Sequence, residues 1–445
     1  LGGTDRIPAD LHMTVITAIN LRAEIPGEDL GAEANAEIGF AGFEHHVHPA
    51  RFRPDALDIV IGAHRSAEDH RSCMIVQRTG KRIAEYRAAE IQRIAHLGQH
   101  LTHAAGAGGL LVHDDEDARH AQAVVIDGLN VSNWDSPNVY AALRTGDVTA
   151  INATVATWEN FQETMDHIAI WLRRFAERDD VLQVKTVADI HVAKERGKTG
   201  IILGFQNASP IENNLERLRL FHSLGVRVIQ LTYHERNLLG NGCYERTDEG
   251  ISNFGVDAIR LMNEIGILID LSHVGDRTTL ETIDTSGRPV CVTHANANTF
   301  CPHPRNKEDE TLKRLAARGG IVGATSFAPF LPGGFDATLS DFVDSLDYMV
   351  QLVGIDNVAF GTDNTQDQPL SFWHYIASQQ GTQYPSTFAN TDQDYLGNCY
   401  QPKDLETPAQ FPNLAGALLD RGYSEEDAQK LLGGNWLRLF SEVWQ

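Results

Sequence analysis

Ile265-Gly266-Ile267-Leu268-Ile269-Asp270-Leu271-Ser272-His273 is an apolar run that turns polar at its C-terminal end, and Pro289-Val290-Cys291-Val292-Thr293-His294 soon repeats the pattern. Short apolar runs alternating with amphipathic stretches are the sequence form of βαβ units on a parallel sheet. Outward from this pair, similar runs occur at Val124–Leu129, Val181–Thr186, Gly200–Gln206 and Arg227–Tyr233 on one side, and at Gly320–Phe327 and Asn357–Asp363 on the other. Helical periodicity lies between them, for example over Leu215–Leu224 and Val256–Glu264. Eight such strands predict an α/β protein with a closed (β/α)8 barrel. An open doubly wound sheet would place a Gly-rich phosphate loop after its first strand, and Asp127-Gly128-Leu129-Asn130 offers none.

In such a barrel the C-terminal strand ends converge on one face, where chemistry is done. The third run ends in Gln206, the fourth in Tyr233-His234, the fifth in His273, the sixth in His294 and the eighth in Asp363. These five ends are therefore expected to share one mouth. One histidine at a strand end is usually a hydrogen-bonded packing residue. Two on successive strands with an acid on the last point to an active site, because buried imidazoles and carboxylates are costly unless paired or used.

The remaining features bound the answer. The 445 residues carry 37 Lys plus Arg against 60 Asp plus Glu, a net charge of −23, which disfavours a nucleic-acid partner. No apolar stretch approaches the ~20 residues that cross a bilayer. Five dispersed cysteines form no Cys-x-x-Cys pair and argue against a disulfide scaffold. The cytoplasm is the default expectation, and a homo-oligomer is expected. Residues 1–115 read as a β-rich appendage with one helix (Ile91 to Leu101), and 116–445 as the barrel. Eleven of the 19 histidines fall in the first 120 residues, yet His45, His46 and His48 read as surface or packing residues because no supporting partners are legible. The segment from Asn364 to Pro402, rich in Gln, Asp, Thr and aromatics, is either a lid that sets specificity or an interface element. Asn237 and Asn241 are expected to shape the loop after the fourth strand.

Ile269-Asp270-Leu271-Ser272-His273, Val292-Thr293-His294-Ala295-Asn296, His303-Pro304-Arg305-Asn306 and Phe360-Gly361-Thr362-Asp363, with Leu218 to Gly242, occur in an order that resembles the renal (membrane) dipeptidase family of metallopeptidases. The likeness covers about residues 120–440. It implies a barrel that binds two zinc ions and hydrolyses dipeptides. It also implies a His-x-Asp on the first strand for one metal, a bridging Glu on the third, and histidines on the fifth and sixth for the second metal.

Carried over residue by residue, His273 and His294 take the two histidine positions, Arg305 that of the substrate-binding arginine, and Asp363 that of the strand-eight acid. The family's substrate-contacting histidine maps to Tyr233 or to His234. Leu129 and Val131 stand where the family has His and Asp, and Gln206 stands for the bridging Glu. Leu and Val have no lone pair and Gln is neutral, so a dinuclear centre is not expected.

The expected site therefore has Asp363 and His234 as catalytic residues and Arg305, Tyr233 and Asn296 as substrate contacts. His273, His294 and Gln206 are candidate ligands for at most one zinc ion, or none. The expected partner is a small carboxylate-bearing substrate, a dipeptide or an N-acyl amino acid, and the expected function is that of a dipeptidase-like hydrolase. Two alternatives stay open: a lyase, isomerase or decarboxylase on the same barrel, and a non-catalytic pseudoenzyme.

Overall fold

Eight short parallel strands run side by side in the second of two units, Leu1–Leu110 and Leu111–Gln445, into which the chain divides. The computed structural model describes residues 123–378 and 400–444, and the backbone of four short strands before them. Those four form two antiparallel pairs: β1 (Thr17–Ile19) with β3 (Ile59–Ile61), and β2 (Ala36–Glu37) with β4 (Gln77–Arg78). The expected helix from Ile91 to Leu101 and the cluster His45, His46 and His48 lie outside the described residues.

The ring of the second unit runs β5 (Ile126–Asn130), β6 (Ala150–Ala156), β8 (Thr199–Phe205), β9 (Val226–Gln230), β10 (Leu268–Asp270), β11 (Cys291–Val292), β12 (Ile321–Ala324) and β13 (Val358–Phe360). It closes just beyond the strand ends. Asn130 and Asn364 form a parallel bridge, and Asp363 N–H donates to Leu129 O at 3.0 Å. This is the (β/α)8 architecture.

The period-two alternation of strands sorts the core into two layers. Ala150, Ile202, Val228, Leu268 and Ile321 join one cluster with Trp436, while their neighbours Ile151, Leu203, Ile229, Ile269 and Val322 join a second with helix residues such as Leu218 and Ile259. The Trp436 indole, on the C-terminal helix Asn435–Val443, is fully buried and donates Nε1–H to Phe360 O at 3.0 Å. Gly128 permits this approach, since a Cβ there would lie 2.6 Å from the indole. Capping boxes at Asn160/Glu163, Thr186/Asp189 and Thr338/Asp341 start three of the outer helices.

One strand expectation is corrected. Val181–Thr186 is not the second stave: it supplies β7 (Val181–Gln183), which pairs with the N-terminal part of β8 and lies off the ring. The second stave is β6, whose three alanines, Ile151 and Val155 are interrupted by Asn152 and Thr154. Asn152 donates to Gly128 O at 2.9 Å and packs where a Gly204 side chain would otherwise stand. A hydrogen bond to the neighbouring strand β5 takes the place of an apolar contact there, so no apolar run marks the strand.

Candidate active site

The strand ends bring Gln206, Tyr233, His234, His273 and Asp363 onto one cleft, which Arg305 from the loop after β11 and Val131 also line. His294 lies behind His273, their Nε2 atoms 2.8 Å apart. Asn296 is not on the cleft. Its side chain donates to Thr325 O and Phe330 O and accepts from Thr325 N–H, which ties the loop after β11 to the one after β12.

Two aspartates inside the barrel hold the chemistry-bearing residues in place. Asp270, at the end of β10, accepts from Thr293 N–H at 2.9 Å and from the Thr293 hydroxyl at 2.5 Å. Asp127, on β5, accepts from Thr362 N–H and the Thr362 hydroxyl, both at 2.7 Å. Each clamped threonine immediately precedes a site residue, His294 in one case and Asp363 in the other. The threonines in Val-Thr-His and Gly-Thr-Asp were a visible repeat, but the partner aspartates sit on other strands and no local spacing reveals them.

The clamp also fixes protons. The Thr293 hydroxyl gives its hydrogen to Asp270, so its oxygen can only accept from His294 Nδ1, 2.8 Å away. We assign His294 as the Nδ1–H tautomer on that hydrogen-bond count. Its Nε2 then accepts from His273 Nε2–H, and His273 Nδ1 is a bare acceptor with no partner among the described residues. Burial and the nearby Arg305 hold both imidazoles well below the ordinary histidine range, hence neutral.

Asp363 sits at φ 53°, a left-handed conformation that Asp tolerates better than most residues. Loss of water around its carboxyl pushes the pKa up to about 6, against the opposing pull of Arg305. Arg305 is completely buried. It donates to Ser272 O and, at 3.1 Å, to His294 O, while its Nε has no partner among the described residues. It does not pair with Glu308 or Asp309, which receive Asn298 and Tyr348 instead. His234 is sandwiched between Tyr233 and Tyr244 at ring distances of 4.1 and 4.2 Å, and burial holds it neutral.

The donor set does not fit a dinuclear zinc centre. Leu129 and Val131 are buried hydrocarbon. Gln206 donates its amide N–H to Thr154 at 2.9 Å, leaving one neutral oxygen. Among the described residues no three His, Cys, Asp or Glu side chains are grouped to hold an ion. A metal-bound histidine normally donates its other ring N–H to an acceptor. His294 has that support through Thr293, whereas His273 Nδ1 has none among the described residues.

A family model described as membrane dipeptidase (Peptidase family M19) matches residues 119–371 and 388–445. An uncharacterized dipeptidase of Schizosaccharomyces pombe, C965.12, is 28% identical over 291 residues, covering 63% of this chain and 62% of that protein. The dipeptidase tcpJ of Claviceps purpurea is 30% identical over 251 residues, 56% of this chain and 52% of that one. The chain thus spans between about half and under two thirds of these relatives' lengths. Among solved structures, an amidohydrolase from Pseudomonas aeruginosa is 40% identical with a TM-score of 0.69, covering 74% of this chain and 99% of its own. A metallo peptidase from Rhodobacter sphaeroides, liganded with a phosphinate mimic of L-Ala-D-Ala, shares the fold at 19% identity and a TM-score of 0.60, covering 72% of this chain and 99% of its own. No helix among the described residues is long and apolar enough to cross a membrane.

Proposed function

The chain belongs to the membrane dipeptidase family, peptidase family M19, and from that premise we propose that it is a hydrolase of the amide bond in a small dipeptide or N-acyl amino acid, working with at most one metal ion. The observation that carries this reading is the pairing, on one cleft, of a carboxyl whose pKa is pushed up to about 6 with a buried arginine whose Nε–H has no partner among the described residues.

The steps follow from these groups. Arg305 receives the substrate carboxylate: two of its N–H groups hold backbone carbonyls, which fixes the guanidinium plane, and the rest of the fork is available. Above pH 6 Asp363 is ionised and accepts a proton from the water that attacks the amide carbonyl, then returns it to the departing amine. Tyr233 or His234 orients that carbonyl. Gln206 offers an amide oxygen to the water or to a single ion. The substrate is therefore held at its carboxylate end while one titrating group on the same cleft moves the proton.

The test is turnover by the full chain on a panel of dipeptides and N-acyl amino acids, read as amine release, with Asp363→Asn as the control. Amine release that Asp363→Asn removes supports the reading. A panel with no turnover, alongside turnover of a non-peptide carboxylate, contradicts it. One observation favours that second reading, a lyase, isomerase or decarboxylase: Leu129, Val131 and Gln206, which stand where the resemblance puts three metal ligands, are buried neutral residues beside the acid–base groups.

A further inference from the structure

The turn that carries His273 has every main-chain polar group engaged from Ser272 to Val274. Ser272 N–H donates to Asp270 Oδ1 at 3.0 Å, His273 N–H to Gln230 Oε1 at 3.0 Å, and Val274 N–H to Leu271 O at 3.2 Å. The three carbonyls are taken by donors from two distant segments. Cys243 N–H reaches His273 O at 2.8 Å, the Arg305 guanidinium reaches Ser272 O, and the Lys307 amine reaches Val274 O. The Thr279 hydroxyl stands 3.5 Å from that last oxygen, at the far edge of hydrogen-bond range. Side chains two residues apart on one segment thus meet carbonyls two residues apart on the other. Asn306, between them, turns away. Its amide donates to Cys301 O and Phe330 O at 2.8 and 3.2 Å and accepts from Asn296 N–H at 3.0 Å.

Lys307 is buried as completely as Arg305. Its backbone is fixed too: the N–H donates to Asn296 O at 2.9 Å and the carbonyl accepts from Asn298 N–H at 2.8 Å. Burial holds the amine below the ordinary lysine range, against the pull of Asp276. A buried lysine is costly, and methionine would fill the same space without that cost. The proton chemistry above does not use it. What its hydrogen bond does is fix Val274 O, and with it the turn that presents Ser272 O. That oxygen is one of the two carbonyls that set the plane of the Arg305 guanidinium.

We propose that Lys307 is a positioning residue for the Arg305 clamp, holding the Ser272–Val274 turn so that the guanidinium meets the substrate carboxylate. The inference rests on the reading above in which Arg305 takes that carboxylate. A guanidinium grips a carboxylate with two parallel hydrogen bonds only in its own plane. A displaced turn therefore costs affinity for the carboxylate and leaves contacts with the rest of the substrate as they are.

Isothermal titration with N-acetylglycine and its uncharged analogue N-acetylglycinamide tests it, using the full chain unmodified and as Lys307→Met, Arg305→Met and the double variant. In Lys307→Met the carboxylate probe should bind about tenfold more weakly, the scale of one charged hydrogen bond, and the amide probe nearly as before. In the Arg305→Met background, adding Lys307→Met should change nothing further, because one residue acts through the other. Should Lys307→Met fail to fold, Lys307→Gln replaces it, with the same expected split between the probes. Unchanged affinity in Lys307→Met, where Arg305→Met weakens the carboxylate probe, overturns the positioning role and leaves the clamp standing. An equal loss for both probes, or a full further loss in the double variant, overturns it as well and marks the lysine as structural alone. An unmodified chain that binds the carboxylate no more tightly than the amide overturns the clamp, and this inference with it.

Discussion

His273 and His294 meet through their Nε2 atoms at 2.8 Å, and the chain behind His294 runs on through the Thr293 hydroxyl to the buried carboxylate of Asp270. Each link leaves one place for each proton. In ¹⁵N-resolved spectra of the imidazoles, His294 should read as the Nδ1–H tautomer and His273 as Nε2–H. Thr293→Val removes the acceptor for His294 Nδ1–H and a donor to Asp270. The expected cost is about 1–3 kcal/mol in stability, with the His294 tautomer shifting, while Thr293→Ser keeps both. An unchanged His294 tautomer in Thr293→Val would show that the hydroxyl does not set it.

Arg305→Lys separates binding from structure. The lysine keeps the charge but loses the planar fork. On a carboxylate substrate kcat/KM should fall by about 10- to 100-fold, the scale of 1–3 kcal/mol for charged hydrogen bonds. An uncharged amide analogue should lose much less. Because Arg305 also holds the carbonyls of Ser272 and His294, chemical denaturation should show a loss of about 1–2 kcal/mol as well. Stability lost without any change in kcat/KM would move the clamp elsewhere.

The pH profile follows from Asp363. Its carboxyl must be ionised to accept a proton, so kcat/KM should rise with pH on an acidic limb near 6. Arg305 opposes the upward push of burial, so a neutral residue such as Arg305→Met should move that limb to higher pH. A limb that stays near 6 in Asp363→Asn would assign it to another group.

Stability should run the other way. Burial pushes the Asp127 carboxyl up to about 7 and Asp363 to about 6, both from an ordinary 3.8. The folded chain therefore holds protons that the unfolded chain has released. The stability this brings is fully present below pH 3.8 and is lost as pH rises through 6 and 7. Asp127→Asn should be less stable throughout, because the amide cannot accept from all of its donors: Thr362, Leu129 and Asn130. It should also lose less stability between pH 5 and 8 than the unmodified chain. Urea midpoints across that range measure both effects.

How much of this was legible in the sequence depended on locality. The barrel was, because seven staves are apolar runs with polar ends, and those ends predicted the mouth that Gln206, Tyr233, His234, His273 and Asp363 line; His294, expected there too, lies behind His273. β6 was not, because its inward positions are small or, at Asn152, polar and satisfied by the neighbouring strand β5. The Asp127–Thr362 and Asp270–Thr293 clamps join residues on neighbouring strands that sequence separates. Asn296 was expected at the substrate, yet the loop after β12 takes up its hydrogen bonds. Phe327 and Phe330 in the loop after β12, Trp373 and Ile376 on the helix Leu370–Ala377, and Tyr400 further along the chain pack into one cluster that no periodicity announces.

The central claim is that Leu129, Val131 and Gln206 leave this member of the family without a two-metal centre. Metal content of the purified full chain, measured by plasma mass spectrometry after equilibration with excess zinc and dialysis, tests it directly. The account predicts no more than one tightly held ion per chain. Two zinc ions per chain, lost together when His273 and His294 are replaced by alanine, would contradict it.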